Sequence, residues 1–439
     1  MSPKGATHHA GRPTWVRYRV LGMLFLLSIV TYLDRMAIGG AGPFIRRELE
    51  LTPLQLGAIF SAFQLAYGIF EIPGGWLGDR FGPRRMLVRI VVWWSVFTVL
   101  TGRMTGFFSM WITRFLFGAG EAGAYPNAAC VVSRWFPFVE RARAHGLIWM
   151  SSRLGGAFAP LLVAPMLDPD KAGVVFGFST YVGWRAVFYI FGSFGFVWAV
   201  AWYFWYRDYP GQKPEVNAAE IELIQKGGLP TSHNEKTPWR VIFRSPNIWA
   251  IVLAYFVYGY GVQFFFFWMP SYVKEVRGLK DWAPYAALPF LLGAAACALG
   301  GFASDALVRR FGLRWGRRTA GLIGLGSSCV WVLLSFAADG PEFAVIALAC
   351  AFASTDFTLP TFWAVCLDIG KRHAGTVTGT MNTAAQIGGA ISSTLIGYLA
   401  GTSQWNLAIG SMGFALLASA LLFFLIDASK PLVPEDASG

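Results

Sequence analysis

Charge is what this chain has least of: Asp, Glu, Lys and Arg make up 14% of its 439 residues, while 55% are hydrophobic. A soluble domain carries about 25% charged residues, and so apolar a chain could not hide its surface in one water-facing core. It reads as a membrane protein. Acids are scarcer than bases, 24 against 36, for a net charge of +12. A nucleic-acid partner would need those bases gathered on one face of a soluble module, but here they sit in short loops between apolar runs. Cysteine is also sparse. The five (Cys130, Cys297, Cys329, Cys350 and Cys366) lie in apolar stretches without metal or disulfide spacing. Of five histidines, only His145 falls in the body; His8 and His9 are in the tail, and His233 and His373 in loops. With no metal pair and no nucleophile beside a base, a membrane-embedded enzyme is a poor reading. No cofactor is expected.

Twelve apolar runs of spanning length fall at about 18–40, 54–77, 86–103, 108–133, 144–167, 184–206, 247–272, 284–307, 319–338, 343–368, 375–401 and 404–427. No small-residue cleavage site follows the first, so it is expected to remain as a span rather than leave as a signal peptide. The expected organisation is a tail (1–17), a six-helix bundle (18–206), a linker (207–246), a second six-helix bundle (247–427) and a C-terminal tail (428–439). The fold class is all-α, twelve transmembrane helices in two pseudo-symmetric halves. The linker holds several Pro and Gly among mixed charges, with room for one short helix around 218–226. Lys and Arg outside the spans concentrate on the side of the two tails and the linker, which places both termini in the cytoplasm.

A polar signature recurs. Gly75-Trp76-Leu77-Gly78-Asp79-Arg80-Phe81-Gly82 is followed by Pro83, Arg84 and Arg85; later, Gly301-Phe302-Ala303-Ser304-Asp305 leads to Arg309-Arg310-Phe311-Gly312. The repeat indicates duplication, and duplicated multi-span halves are the build of secondary transporters. These hairpins are expected to latch helix ends.

Charges inside spans carry the functional reading, since each costs about 2.5 to 3.5 kcal/mol on the cheapest insertion scale. At about 1.5 Å per residue, Asp34 and Arg35 lie roughly 20 Å from the cytoplasmic edge. Arg114 lies roughly 9 Å, and Glu121 roughly 20 Å, below the outer edge. Arg114 and Glu121, seven residues apart, share one helix face. Asp34 with Arg114 is either a coupling unit or an ion pair that helps helices pack. Arg35 either faces a cavity or snorkels. Arg89 and Arg185 read as interfacial anchors. Arg153 is deep, with either a cargo anion or a carboxylate of another span as partner. Glu121 is the proton-site candidate: without a fixed cation, burial favours its neutral form, and a mobile arginine could release the proton. The alternative is a protonated packing residue in a small-residue helix interface.

Tyr32-Leu33-Asp34-Arg35, the Gly78 hairpin, Arg114-Phe115-Leu116-Phe117-Gly118-Ala119-Gly120-Glu121, Arg134-Trp135-Phe136-Pro137 and the second hairpin together resemble the anion:cation symporter branch of the major facilitator superfamily. Bacterial carriers of D-galactonate and hexuronates are the most similar members. The resemblance implies proton-coupled symport of a small organic anion by alternating access, in a bacterial inner membrane, by a monomer whose partners are the anion, the proton and the bilayer. It also implies Asp34 and Glu121 as protonation sites, Arg114 as the arginine that pairs with them, and Arg35, Tyr32 and Tyr67 on the substrate side. Tyr260, Gln263, Trp363, Asn382 and Gln386 are looser matches in the second half. Ser151-Ser152-Arg153 stands where the sugar-acid carriers place a glutamine, and Asp356 is an unfamiliar midplane acid. An extra cation there would suit a dicarboxylate or an aromatic acid. The aromatic run at 264–268 reads either as a stacking wall or, more often for such runs, as core or lipid-facing surface. A non-coupled facilitator or exporter of the same fold is the competing function.

Overall fold

The computed structural model describes residues 12–168, 173–175, 178–225, 239–337, 340–370 and 374–432. In the first half, α1 spans Val16–Glu48, α2 Pro53–Phe81 and α3 Pro83–Thr101. The fourth crossing is broken into α4 (Phe107–Glu121) and α5 (Ala124–Trp135), followed by α6 (Phe138–Leu167) and α7 (Gly183–Trp205). The break has a local cause: Pro126 offers no N–H to the carbonyl of Ala122, so one helical bond cannot form. Two short strands, Val174–Val175 and Phe178–Ser179, pair antiparallel between α6 and α7.

In the linker, α8 (Ala218–Gln225) occupies the expected short-helix position, and α9 covers Trp239–Arg244. The second half begins with α10 (Pro246–Phe267), which Ser245 caps by accepting from the Ile248 amide at 3.4 Å. It continues as α11 (Met269–Ser271) and a π turn (Tyr272–Val276). Pro270 accounts for the interruption. There follow α12 (Trp282–Phe336), α13 (Pro341–Gly370), α14 (Ala374–Gly401) and α15 (Trp405–Leu422). Helix α12 contains two crossings joined at Gly312, so the described residues hold twelve crossings, six in each half.

The repeated hairpin has one backbone geometry in both halves. Gly82 (φ 82°) closes α2 before Pro83 opens α3, and Gly312 (φ 77°) bends α12 at the matching place. Positive φ is open to glycine at little cost, which is why Arg-Phe-Gly ends the helix in each copy.

The halves meet along α2 against α14, α6 against α12, and α1 against α10. Missing side chains permit this: a Cβ on Gly397 would lie 3.2 Å from the Gly57 Cα. One face carries the first and last described residues and the described parts of the linker. There Arg17 bonds Glu220 and Glu140, both at 3.0 Å, and the Leu432 amide donates to the Ile369 carbonyl at 2.8 Å. On the opposite face Arg46 bridges to Glu275 at 3.0 Å, joining α1 to the π turn of the other half. Around the waist, large apolar side chains stand free, including Phe302 at 78% exposure and Val197 at 70%. A soluble monomer does not carry so broad an apolar surface; this one is a lipid belt.

Candidate functional site

A cavity of about 100 Å³ lies between the halves at mid-depth. The first half contributes Tyr32 and Arg35 from α1, Gln64 and Tyr67 from α2, Tyr125 from α5, and Trp149 and Arg153 from α6. From the second half come Tyr255, Tyr258, Gln263 and Phe266 of α10 with Asn382 and Gln386 of α14.

Arg35 turns into the cavity rather than to the surface. Its guanidinium bonds Glu121 of α4 through Nη2, with Nε at 3.1 Å from the same oxygen, and the rings of Tyr32, Phe63 and Tyr67 surround it at 4.9 to 5.1 Å. This corrects the expected pairing. Glu121 does have a cation, and it is Arg35; Arg114 makes no hydrogen bond with either acid. Arg114 is fully buried over the Phe117 ring at 4.2 Å, and no guanidinium nitrogen has a partner among the described residues. Asp34, equally buried, interacts electrostatically with Arg114 and Glu121 and faces the Trp94 indole N–H, while among the described residues neither of its oxygens makes a hydrogen bond of normal geometry. Two arginines and two acids thus form a formally neutral cluster in which one contact is made and two groups are left unpaired. Buried polar groups are rarely left so, and the spare donors and acceptors stand ready for another partner.

Arg153 has a partner in the chain. Asp356 of α13 receives Nε at 2.6 Å and Nη2 at 2.7 Å, and Nη1 reaches the Tyr32 hydroxyl at 3.5 Å. The alternative of a carboxylate from another span is the one realised.

In the second half, Gln263, Asn382 and Gln386 line the cavity, but Tyr260 does not. One residue step from Gly259 turns it toward α15, where its hydroxyl bonds Ser411 at 2.9 Å. Trp363 stands behind the lining, 5.3 Å from Trp149, which itself stacks on Tyr125 at 4.9 Å. The aromatic run is mostly core: Phe265 packs on Phe352 and Phe267 on Phe60, both at 5.0 Å, and only Phe266 meets the cavity. Arg185 is an anchor, bonding Glu48 at 2.8 Å and the Gly102 and Met104 carbonyls, and Arg89 is exposed.

The hairpins use fewer of the expected residues than the motif holds. The Asp79 side chain lies outside the described residues. Arg84 donates to the Tyr203 carbonyl at 2.7 Å while its amide donates to Asp208 at 2.9 Å. Arg80 and Arg85 are exposed, Arg80 lying over the Trp76 and Phe81 rings. In the second copy Arg309 and Arg310 are exposed. The clasp there is Arg317, which joins Asp305 at 3.2 Å to Asp368 at 3.0 Å. Arg317 comes after the turn, where the chain folds back over Asp305, and the arginines before it point outward.

Several residues escaped the sequence reading: Gln64, Glu71, Tyr125, Trp149, Tyr255 and Tyr258. Glu71 is buried between the halves, and the Asn382 amide donates to both its oxygens at 2.7 and 2.8 Å. Gln64, Tyr67 and Glu71 follow i, i+3, i+7 spacing, as Tyr255, Tyr258 and Val262 do, so each set shares a helix face. That periodicity was the available signal.

Comparison with known proteins agrees with this architecture. A profile described as Major Facilitator Superfamily matches residues 24–393. The chain is 35% identical over 428 residues to a Cupriavidus necator protein named "Probable sulfoacetate transporter SauU", covering 96% of this chain and 95% of that one. It is 32% identical over 386 residues to the Bacillus subtilis "Hexuronate transporter", covering 87% of both. Among solved structures, a bacterial homologue of the human lysosomal transporter Spinster, in an inward-facing, unoccupied conformation, superposes with a TM-score of 0.73 at 20% identity over 95% of this chain and 97% of the other. The twelve crossings in two halves, the apolar belt and the profile match lead to one statement: the chain belongs to the Major Facilitator Superfamily of membrane transporters.

Proposed function

We propose that the protein is a proton-coupled symporter of a small organic anion, working as a monomer by alternating access in a bacterial inner membrane with both termini in the cytoplasm. The observation that carries this reading is the Arg35–Glu121 contact at the cavity wall. An incoming carboxylate or sulfonate competes with Glu121 for the Arg35 fork, which suits planar anions. Glu121, deprived of that cation while buried, is neutralised by a proton. Anion and proton therefore favour each other's binding, and by linkage the effect is reciprocal. When the halves rock and Arg35 returns to Glu121, proton and anion leave together.

Asp34 and Arg114 form the neighbouring couple. Arg114, on the same face of α4 as Glu121, is balanced in charge by Asp34, so Glu121 is left to the proton once cargo occupies Arg35. Tyr32 and Tyr67 frame the anion around Arg35, and Gln263, Asn382 and Gln386 supply neutral polar contacts from the other half. The names of relatives, a sulfoacetate carrier and a hexuronate carrier, support an organic acid as cargo.

In proteoliposomes with an inward proton gradient, the unaltered protein should accumulate an organic anion. Glu121→Gln should retain counterflow exchange but lose gradient-driven accumulation. Accumulation undiminished in Glu121→Gln would remove the coupling role and favour an uncoupled facilitator.

A further inference from the structure

Two buried guanidinium groups line the cavity, and each is held by a carboxylate from another helix: Arg35 by Glu121, Arg153 by Asp356. Tyr32 stands between them. The Arg35 Cζ lies 4.9 Å from the centre of its ring, and Arg153 Nη1 lies 3.5 Å from its hydroxyl oxygen. The two cations are therefore separated by little more than one aromatic ring, a gap that a molecule with a spacer of one to three atoms between two anionic groups would bridge.

The Arg153–Asp356 contact differs from the first in joining the halves, since α6 belongs to one and α13 to the other. Asp356 approaches bidentately, in the geometry any carboxylate or sulfonate adopts on a guanidinium. Gly293 of α12 makes room for it, because a Cβ there would collide with the Asp356 carboxylate. As a permanent strap at mid-depth, the pair would resist rocking of the halves, and its rupture without replacement would leave two uncompensated buried charges. A replacement anion avoids that cost.

We propose that Arg153 and Asp356 form a second exchange couple, so that the cavity takes a compact dianion, with one anionic group on Arg35 and the other on Arg153, while Asp356 binds a second proton. This rests on the symport reading above and names its cargo class. The charge balance is explicit. Empty, two cations face two carboxylates and the site is neutral; loaded with a dianion, it is neutral only when both carboxylates are protonated. The groups facing Asp356 are Arg153 of α6, Tyr258 of α10 and Cys297 of α12. Around Glu121 they are Asp34 and Arg35 of α1, Tyr67 of α2, Arg114 of α4 and Tyr125 of α5.

The test uses the full-length protein in detergent, with malonate, succinate and sulfoacetate as dianions and acetate, propionate and methanesulfonate as matched monoanions. Binding is read by thermal shift, and proton uptake by an indicator dye in weak buffer. At least one dianion should bind about tenfold or more tighter than its monoanion, the worth of one charge-assisted contact, with two protons taken up per dianion. Asp356→Asn should take up one. Should that variant misfold, Arg153→Gln with Asp356→Asn removes both charges, and it should bind dianion and monoanion alike with a single proton. Equal affinity for the two classes in the unaltered protein, or two protons still taken up without Asp356, overturns the proposal. If uptake falls only in Glu121→Gln, the symport reading stands alone; if no anion elicits uptake, both fail.

Discussion

Glu121 and Arg35 come from helices with no sequence proximity, and what joins them is packing. Each sits deep in its span, where a buried charge is stabilised mainly by other side chains. Arg35 is the more exacting of the two, because its fork fits a planar anion in a way an ammonium cannot. Arg35→Ala should abolish anion binding, and Arg35→Lys should weaken it about 10- to 100-fold, both measurable by thermal shift against the preferred anion. Arg153 supplies a contrast in stability. Arg153→Ala leaves Asp356 buried without a cation and should cost about 3 to 5 kcal/mol, whereas removing both charges together should cost far less; thermal unfolding of the single and double variants decides it. At the α2–α14 seam, Asn382→Ala strips both donors from Glu71. It should destabilise the protein by about 1 to 3 kcal/mol, with Glu71→Gln restoring part of that loss in the same measurement.

Among the helices, the repeated hairpin is where local chemistry and global motion meet. Gly82 and Gly312 share a positive φ, but their surroundings differ: a Cβ at Gly82 would meet the Asp208 carboxylate at 2.9 Å, while nothing lies within 4 Å of one at Gly312. Both alanine variants incur backbone strain of roughly 1 to 3 kcal/mol, and Gly82→Ala also displaces Asp208 from the Arg84 amide. Gly82→Ala should therefore lower the melting temperature further than Gly312→Ala. In transport assays it should slow the maximal rate more than it changes the half-saturating concentration, because the hairpin lies far from the cavity. The broken fourth crossing is a second such device. Its interruption at Ala122 and Gly123 directly follows Glu121, so the acid sits at a helix end whose carbonyls are not all committed.

For the whole molecule, the question is whether the halves move as alternating access requires. Arg46 and Glu275 touch across the face opposite the chain ends. Arg46→Cys with Glu275→Cys, in a background without the five native cysteines, should allow a short bifunctional thiol reagent with a reducible link to bridge them and close that face. Counterflow should stop on cross-linking and return on reduction; unimpeded exchange in the cross-linked protein would rule out opening at that face. The ion pair itself is partly exposed and contributes only about 0 to 1 kcal/mol, so Arg46→Ala alone should leave the melting temperature nearly unchanged.

Composition and the spacing of apolar runs were enough to establish a twelve-crossing membrane protein, because hydrocarbon imposes a length and a polarity on every crossing. The motif at Asp79 to Gly82 and its later copy disclosed the two related halves, because a positive-φ turn leaves a glycine behind in the sequence. Depth along each helix brought Asp34, Arg35 and Arg114 to one level and set Glu121 two turns deeper on the face of α4 that carries Arg114. Which of them touch was beyond the reach of the sequence, since rotation about each helix axis and the tilt between helices are settled only by packing. So Arg35 rather than Arg114 holds Glu121, Asp356 from the far half holds Arg153, Tyr260 turns away to α15, and Glu71 meets Asn382 across the seam. Those contacts join residues up to 311 positions apart, and no local pattern encodes a partner that only the assembled halves bring near.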